Sequence, residues 1–396
     1  MVEAISIPQA DTRRLRAVTV LLATACGLAV ANIYYAQPLL ALLATTFKVS
    51  KSDAALVVTV TQIGYALGLV LIVPLGDLLE NRRLATWMLI GAVVALICAA
   101  AAPSLGVLLL ASLAIGLTSV VAQVLVPLAA HLAPPEQQGA VVGRVMSGLL
   151  LGILLARTTS SLIAAAFGWR CVYAVSACLI FTLAVVVAKA LPQREPQSTL
   201  RYPALIRSLA GLARSEPVLR RRAAYQASMF AVFSAFWTSI SYELQQHHHL
   251  GQASIGLFSL VGAAGAAAAP VAGRLGDLGK THAATGAGLL IGSAAIILSL
   301  LTDGSVVGLA ISGLILDLCA QTTLVLGQRA IYAARPDSRA RMNAVYLASM
   351  FVGGSVGSAC SGLLYNAHGW AGVVIFAAPL PLLAFLLWLR SPSDQL

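Results

Sequence analysis

Apolar runs of about twenty residues, unbroken by turn signals, constrain this chain more than any other feature. Residues 84–102 and 174–191 are two of them, and neither alternates as a half-buried strand would. At 1.5 Å per residue such a run matches the roughly 30 Å hydrocarbon core of a bilayer. Inside lipid every backbone N–H and C=O must be paired within the protein, which leaves helices or closed barrels. Continuous runs, in place of alternating ten-residue segments, select helices. Composition agrees, with 59% hydrophobic and 10% charged residues among 396 and a mean hydropathy of +0.89. The solvent for most of this surface is therefore lipid.

Breaks between the runs predict twelve spans, the first near 17–46 and the last near 371–389. The first run follows Arg13, Arg14 and Arg16, has a polar Asn-Ile-Tyr-Tyr centre and lacks a small-residue cleavage site, so it is expected to be retained. A net charge of +11 taken alone suggests a nucleic-acid partner, but its distribution points elsewhere. With the N-terminus inside, 21 of the 25 Lys and Arg fall on inner segments, and only Lys48, Lys51 and Arg170 fall outside. That is the positive-inside pattern, with both termini cytoplasmic and no nucleic acid implied. The six cysteines lie in or at the ends of apolar segments without metal-ligand spacing and are read as packing residues.

Residues 191–222 form the one long polar stretch, rich in Pro and Arg, and read as a cytoplasmic linker with an interfacial helix near 204–214. It divides the chain into 1–191, the linker 192–221, and 222–396. The two halves echo one another. Leu75-Gly76-Asp77 recurs as Leu275-Gly276-Asp277, Pro135-Glu136 as Pro336-Asp337, and Gly168-Trp169 as Gly369-Trp370, at offsets of 200 or 201. Three echoes in one order indicate a parallel duplication, an architecture in which transporters hold substrate near the midplane between repeats.

Pro74-Leu75-Gly76-Asp77-Leu78-Leu79-Glu80-Asn81-Arg82-Arg83 resembles the Gly-x-Leu-Ala-Asp-Arg-x-Gly-Arg-Arg signature between helices 2 and 3 of the major facilitator superfamily. The Asp and the terminal basic pair match, whereas Val73 and Leu78 depart from the pattern. The second copy reads Gly273-Arg274-Leu275-Gly276-Asp277 and ends in Gly279-Lys280. The resemblance runs over essentially the whole chain. It implies an all-α integral membrane fold of twelve transmembrane helices in two six-helix pseudo-symmetric bundles. It also implies a gating role for Asp77, Arg82, Arg83 and Asp277. A carboxylate at a helix end caps a neighbouring helix or pairs with a base, a contact that exists only while that side is closed.

Two departures bear on coupling. Leu113 stands three residues before Gly116, where proton-coupled members often carry Arg, and Ile153 and Ala156-Arg157 replace the Pro and Gly pair of the drug-antiporter motif around Gly148 and Gly152. The phrasing of helices 1, 5 and 10 nonetheless resembles bacterial efflux permeases of the arabinose-efflux and drug-resistance type, which favours export of a small organic molecule by proton antiport. Proton-coupled uptake and an uncoupled facilitator are the alternatives. An enzyme would need a clustered nucleophile, metal set or acid–base pair, and a receptor would be favoured by an appended soluble domain; neither is expected. No cofactor or metal is called for: adjacent His247, His248 and His249 point in different directions on a helix and read as an exposed polar cap.

Asp317 and Arg157 are the ionisable residues well inside predicted spans, and each costs about 2.5–3.5 kcal/mol at a bilayer centre. Neither is echoed in the other half, where Leu117 and Ser358 stand. Asp317 is therefore read as exchanging a proton during transport. Arg157 is read as holding an anionic substrate group or pairing with Asp317, against the alternative of a static pair locking the halves. Helical spacing adds a candidate cavity of Asn32, Tyr34, Tyr35, Gln37, Gln62, Tyr65, Ser119, Gln123, Trp237, Gln321 and Gln328, aromatic and amide in character, which suits an amphiphilic solute. Stripes at Gly353/Gly357/Ser361, Gly354/Ser358/Gly362 and Gly64/Gly68 are expected to form sliding interfaces between the halves. The expected setting is a bacterial inner membrane, with a monomeric protein whose partners are its solute, protons and lipid.

Overall fold

The computed structural model describes residues 9–193, 201–302 and 305–391, and it is helical throughout. Residues 194–200 of the expected linker, and the side chains of Arg13 and Arg14, lie outside what is described. Helix α1 (Gln9–Tyr34) passes through a 3-10 turn at Gln37–Leu39 into α2 (Leu40–Phe47). There follow α3 (Lys51–Leu71), α4 (Asn81–Ala100), α5 (Leu105–Ser119), α6 (Val121–Leu132), α7 (Gln138–Phe167) and α8 (Trp169–Ala190). The linker helix α9 (Tyr202–Ser215) leads to α10 (Pro217–Gln246). Helices α11 (Gln252–Phe258) and α12 (Ala268–Asp277) flank a nine-residue 3-10 segment, Ser259–Ala267. The chain ends through α13 (Thr281–Leu301), α14 (Val306–Ala334), α15 (Arg339–Ala377) and α16 (Pro379–Leu389).

Local chemistry sets several of these boundaries. The side chains of Ser50, Glu80, Ser104 and Ser305 each accept a hydrogen bond from a backbone N–H of the helix they precede, satisfying donors that have no partner in the first turn. The repeated dipeptides become repeated geometry. Pro135–Gln137 and Pro336–Ser338 are both 3-10 turns with Pro in the first positions, opening α7 and α15. Gly168 (φ 84°) and Gly369 (φ 63°) both take conformations that side chains rarely adopt. Each turns the chain ahead of a buried tryptophan: Trp169 Nε1 donates to Thr46 Oγ1 at 3.2 Å, and Trp370 Nε1 to Ser299 Oγ at 3.0 Å.

Among the described residues, nine stretches are long and apolar enough to cross a membrane. One of them, Pro336–Leu389, is 54 residues long, far beyond the roughly 20 residues of one crossing, and it contains the break at Gly369. Helix α10 is absent from the nine; it opens with Arg220, Arg221 and Arg222 and carries polar groups along its length. The run from α11 to α12 is divided by its 3-10 segment.

Helices α1–α8 and α10–α16 pack into one helical body that meets along α3–α15 and α7–α11. The small-residue stripes divide in a way their spacing did not reveal. A Cβ on Gly353 or Gly357 would stand 2.2 or 2.1 Å from the carbonyl oxygens of Ala227 and Ala231 on α10, within the same half. Gly64 likewise faces Leu113 on α5. One residue further on, Gly354 and Ser358 stand between α10 and α3, and Gly362 faces α3. A Cβ on Gly354 would meet Phe230 Cδ1 at 2.6 Å and Gln62 Oε1 at 2.9 Å. Ser358 Oγ accepts from Thr238 at 3.2 Å and donates to the Ala55 carbonyl at 3.4 Å, and a Cβ on Gly362 would meet Ala55 Cβ at 2.5 Å. A step of one residue turns about 100° around a helix, so adjacent stripes serve different neighbours.

Polar links between the halves gather at the end opposite the linker, called here the far end. Tyr242 donates to the Lys51 carbonyl at 3.1 Å and Lys51 Nζ to Gln246 Oε1 at 2.6 Å. Gln252 donates to the Pro38 carbonyl at 2.8 Å, and Ser161 to the Gln252 carbonyl at 2.7 Å. At the linker end the ion pair Asp277–Arg329 stays within the second half, and Glu216–Arg335 ties the linker to that half. There Tyr202 of α9 donates to the Leu71 carbonyl at 2.8 Å.

Candidate functional site

The two ionisable residues expected well inside the spans come together between α7 and α14. Arg157 projects from α7 and Asp317 from α14, both buried, with Nη1 and Oδ2 3.9 Å apart. That separation makes an ion pair but no hydrogen bond. The other carboxylate oxygen is held more tightly: Trp237 Nε1 on α10 donates to Asp317 Oδ1 at 2.8 Å. The guanidinium lies over the Trp237 ring with its carbon 4.0 Å from the centroid, flanked by Phe233 at 5.2 Å and Tyr34 at 5.5 Å. Cation–π attraction of this kind grows as water is removed. The Nε of Arg157 is buried with no hydrogen-bond partner. A charge pair so enclosed is costly to desolvate, and loose geometry offsets little of that cost.

The 3-10 segment explains how α14 and α7 reach each other here. Its sequence, Ser-Leu-Val-Gly-Ala-Ala-Gly-Ala-Ala, places glycines at 262 and 265. A Cβ on Gly262 would stand 2.5 Å from Asp317 Oδ2 and 2.9 Å from Arg157 Nη1. One on Gly265 would stand 2.9 Å from Asp317 Cβ. Backbone therefore lies directly against the pair, a place that only glycine fills without displacement.

The aromatic and amide residues around the pair divide into groups. Trp237, Phe233 and Phe258 form a connected set with Phe230, Phe236 and Phe351. Tyr65 packs on Phe351 with centroids 4.3 Å apart and accepts from Gln123 at 3.4 Å. Gln62 and Ser234 bond reciprocally across the halves at 3.0 and 3.3 Å. Gln37 is buried near the far end with neither amide atom paired. Gln321 is half-buried on the same helix as Asp317. Other residues of the predicted cavity turn elsewhere: Asn32 accepts from Ser176 on α8 at 2.7 Å, Tyr35 lines a groove between α1, α7 and α8, and Ser119 donates to the Ile115 carbonyl of its own helix. Gln328 donates to Asn343 at 3.0 Å, toward the linker end.

Of the predicted gate, Asp77 is exposed in the 3-10 turn Val73–Asp77, within electrostatic reach of Arg341 on α15 of the other half. Arg82 donates to the Leu191 carbonyl at 3.4 Å. The backbone N–H groups of Arg82 and Arg83 are capped by Glu80, a role the motif did not reveal. Asp277 pairs with Arg329 at 2.5 Å.

Sequence reasoning gave no role to another buried acid at the far end. Glu243, at the far end of α10, accepts from Tyr365 of α15 at 2.9 Å, and His247 Nδ1 lies 2.6 Å from its other oxygen. Lys51 of α3 stands over the Tyr365 ring at 4.8 Å. The signal was the i, i+4 spacing of Glu243 and His247. Among the described residues no group of three or more His, Cys, Asp or Glu is arranged to hold a metal ion.

Comparison with known proteins agrees with this architecture. The Major Facilitator Superfamily model matches residues 21–237 and 222–395. An uncharacterized transporter, YgaY of Escherichia coli O157:H7, is 44% identical over 384 residues, covering 96% of each chain. The Streptomyces coelicolor protein named Probable transporter SCO4007 is 33% identical over 364 residues, covering 90% of this chain and 83% of that one. Among solved structures, a bacterial homolog of the human lysosomal transporter Spinster, in an inward-facing and occupied conformation, superposes with a TM-score of 0.77 at 15% identity, covering 96% and 98% of the two chains. The chain belongs to the Major Facilitator Superfamily, and it is a transport protein, not an enzyme.

Proposed function

We propose that this secondary transporter, working by alternating access, exports a small amphiphilic organic molecule in exchange for protons, with Asp317 carrying the proton. The observation that carries the reading is the buried Arg157–Asp317 pair: one partner comes from each half, and they stand 3.9 Å apart without a hydrogen bond between them. An ion pair that bridges two rocking bodies is remade in each cycle. A carboxylate there meets its countercharge in one state and can take a proton in the other. Trp237 keeps the carboxylate aimed across the interface, while the Trp237, Phe233 and Tyr34 rings supply an apolar wall. The unpaired amide of Gln37 and the half-buried Gln321 offer polar contacts to a solute. Efflux accords with the resemblance to drug and arabinose-efflux permeases.

In this reading the chain crosses the bacterial cytoplasmic membrane twelve times as a monomer. Pro336–Leu389 makes two crossings divided at Gly369, and α10 and the α11–α12 run make one each. The six-helix units are 1–191 and 222–396, joined by 192–221, and the linker end is cytoplasmic. The polar links at the far end then correspond to a state closed toward the outside, with Asp77, Arg82, Arg83 and Asp277 gating the inner side.

Everted membrane vesicles acidified by respiration test coupling and direction together. A panel of amphiphilic cations, anions and sugar-like solutes is added while a pH dye reports the interior. Under the proposal, one class dissipates the proton gradient and accumulates in the vesicles. Accumulation without proton movement identifies a facilitator instead.

A further inference from the structure

On the outer face of the helical body, α1, α7 and α8 enclose a groove of about 840 Å³ that lies apart from the Arg157–Asp317 pair. Its floor is the close approach of α1 to α7, where a Cβ on Gly152 would stand 2.2 Å from the Gly27 carbonyl oxygen. Its rims are apolar side chains that stay substantially exposed: Val20, Leu151, Leu155 and Leu179. On α1 the lining recurs every three or four residues from Arg16 to Ala31, roughly 22 Å of helix at 1.5 Å per residue. At the linker end the groove terminates in two exposed arginines, Arg16 of α1 and Arg144 of α7. Helix α7 packs beside α1 with Gly148 against Ala23, so the two guanidinium groups emerge within about one helical turn of each other in depth. Among the described residues no acidic side chain lines the groove and neither arginine is in an ion pair.

We infer that this groove is a binding site for an anionic phospholipid of the leaflet at the linker end, its phosphate on Arg16 and Arg144 and an acyl chain along α1 and α7. The apolar length accepts a hydrocarbon chain, and the volume falls in the roughly 300–1,000 Å³ range of ligand sites. Two unpaired arginines at one end complement a negative headgroup, and basic pockets between transmembrane helices recognise such lipids. Long basic side chains reach from helix ends to the headgroup level.

The full chain, purified in detergent, is titrated with phosphatidylglycerol, phosphatidylcholine or inorganic phosphate while thermal unfolding is followed. Phosphatidylglycerol is expected to raise Tm in a saturable way, and phosphatidylcholine and phosphate to leave it unchanged. R16Q and R144Q should each weaken the phosphatidylglycerol effect about fivefold. T24W, which fills the groove and keeps both arginines, should abolish it. An equal response to phosphatidylcholine, a response to phosphate alone, or an unaltered response in T24W overturns the site. Mass spectrometry of the intact wild type released from mixed vesicles keeps the test decisive if a variant fails to fold. Enrichment of retained phosphatidylglycerol over phosphatidylcholine supports the proposal, and equal retention contradicts it.

Discussion

Trp237 Nε1 and Asp317 Oδ1 stand 2.8 Å apart, joining α10 to α14 within one half and leaving the second carboxylate oxygen to face Arg157 of the other half. Trp237 is thus both a hydrogen-bond donor to the acid and an aromatic platform for the base. W237F keeps most of the platform and removes the donor, leaving Asp317 Oδ1 buried without its partner. The expected cost is about 1–3 kcal/mol of stability, read as a lowered unfolding midpoint, together with slower transport at unchanged membrane insertion.

Arg157 and Asp317 are coupled across the interface, so their single variants should each be worse than the pair. R157A or D317A alone leaves an uncompensated buried charge, expected to cost about 3–5 kcal/mol. R157A/D317A removes both and should recover much of that loss in thermal unfolding while remaining inactive in transport. Additive losses in the double variant would show that the two side chains do not interact.

Gly262 is expected to be intolerant of any side chain. A methyl group there would approach Asp317 Oδ2 to 2.5 Å, Arg157 Nη1 to 2.9 Å and the Trp237 ring to 3.1 Å, so all three side chains would have to shift. G262A should reduce transport sharply, whereas G273A, in the same region with nothing within 4 Å of its Cβ, should behave as wild type. Parallel transport assays at matched expression provide the check.

The repeated glycines make a separate stability prediction. Gly168 and Gly369 have open space around them yet hold positive φ, so alanine there meets backbone strain without a clash. G168A and G369A should each lose roughly 1–3 kcal/mol, measured as similar falls in unfolding midpoint.

Much of the fold was legible before the structure because membrane helices must satisfy their own backbones, which makes long apolar runs a strong signal. The echoes at Pro135/Pro336 and Gly168/Gly369 were legible as repetition, and they are repeated turns because Pro and Gly restrict backbone geometry locally. What the sequence could not convey was which neighbour each helix face meets. Gly353 meets the Ala227 backbone of α10, whereas Gly354, one position on, lies between the Phe230 ring of α10 and Gln62 of α3. Asn32 and Tyr34 likewise lie close in sequence, but one turns to Ser176 and the other to Arg157. Gly262 was invisible for the same reason: its significance is a contact with Asp317, which depends on the packing of the 3-10 segment and α12 against α14. Glu243 received no role because it stands at a span end beside histidines read as an exposed cap, and its partner Tyr365 lies 122 residues away.

The most direct test of Asp317 as the proton carrier is proton flux in proteoliposomes containing an internal pH dye, with wild type and D317N reconstituted at equal density. Substitution by Asn keeps the size and the Trp237 contact while removing the titrating group. Solute-dependent proton movement in wild type that disappears in D317N, with solute binding retained, is the result predicted here. Solute-driven proton movement of equal rate in D317N would contradict the account and reduce the Arg157–Asp317 pair to a fixed structural contact.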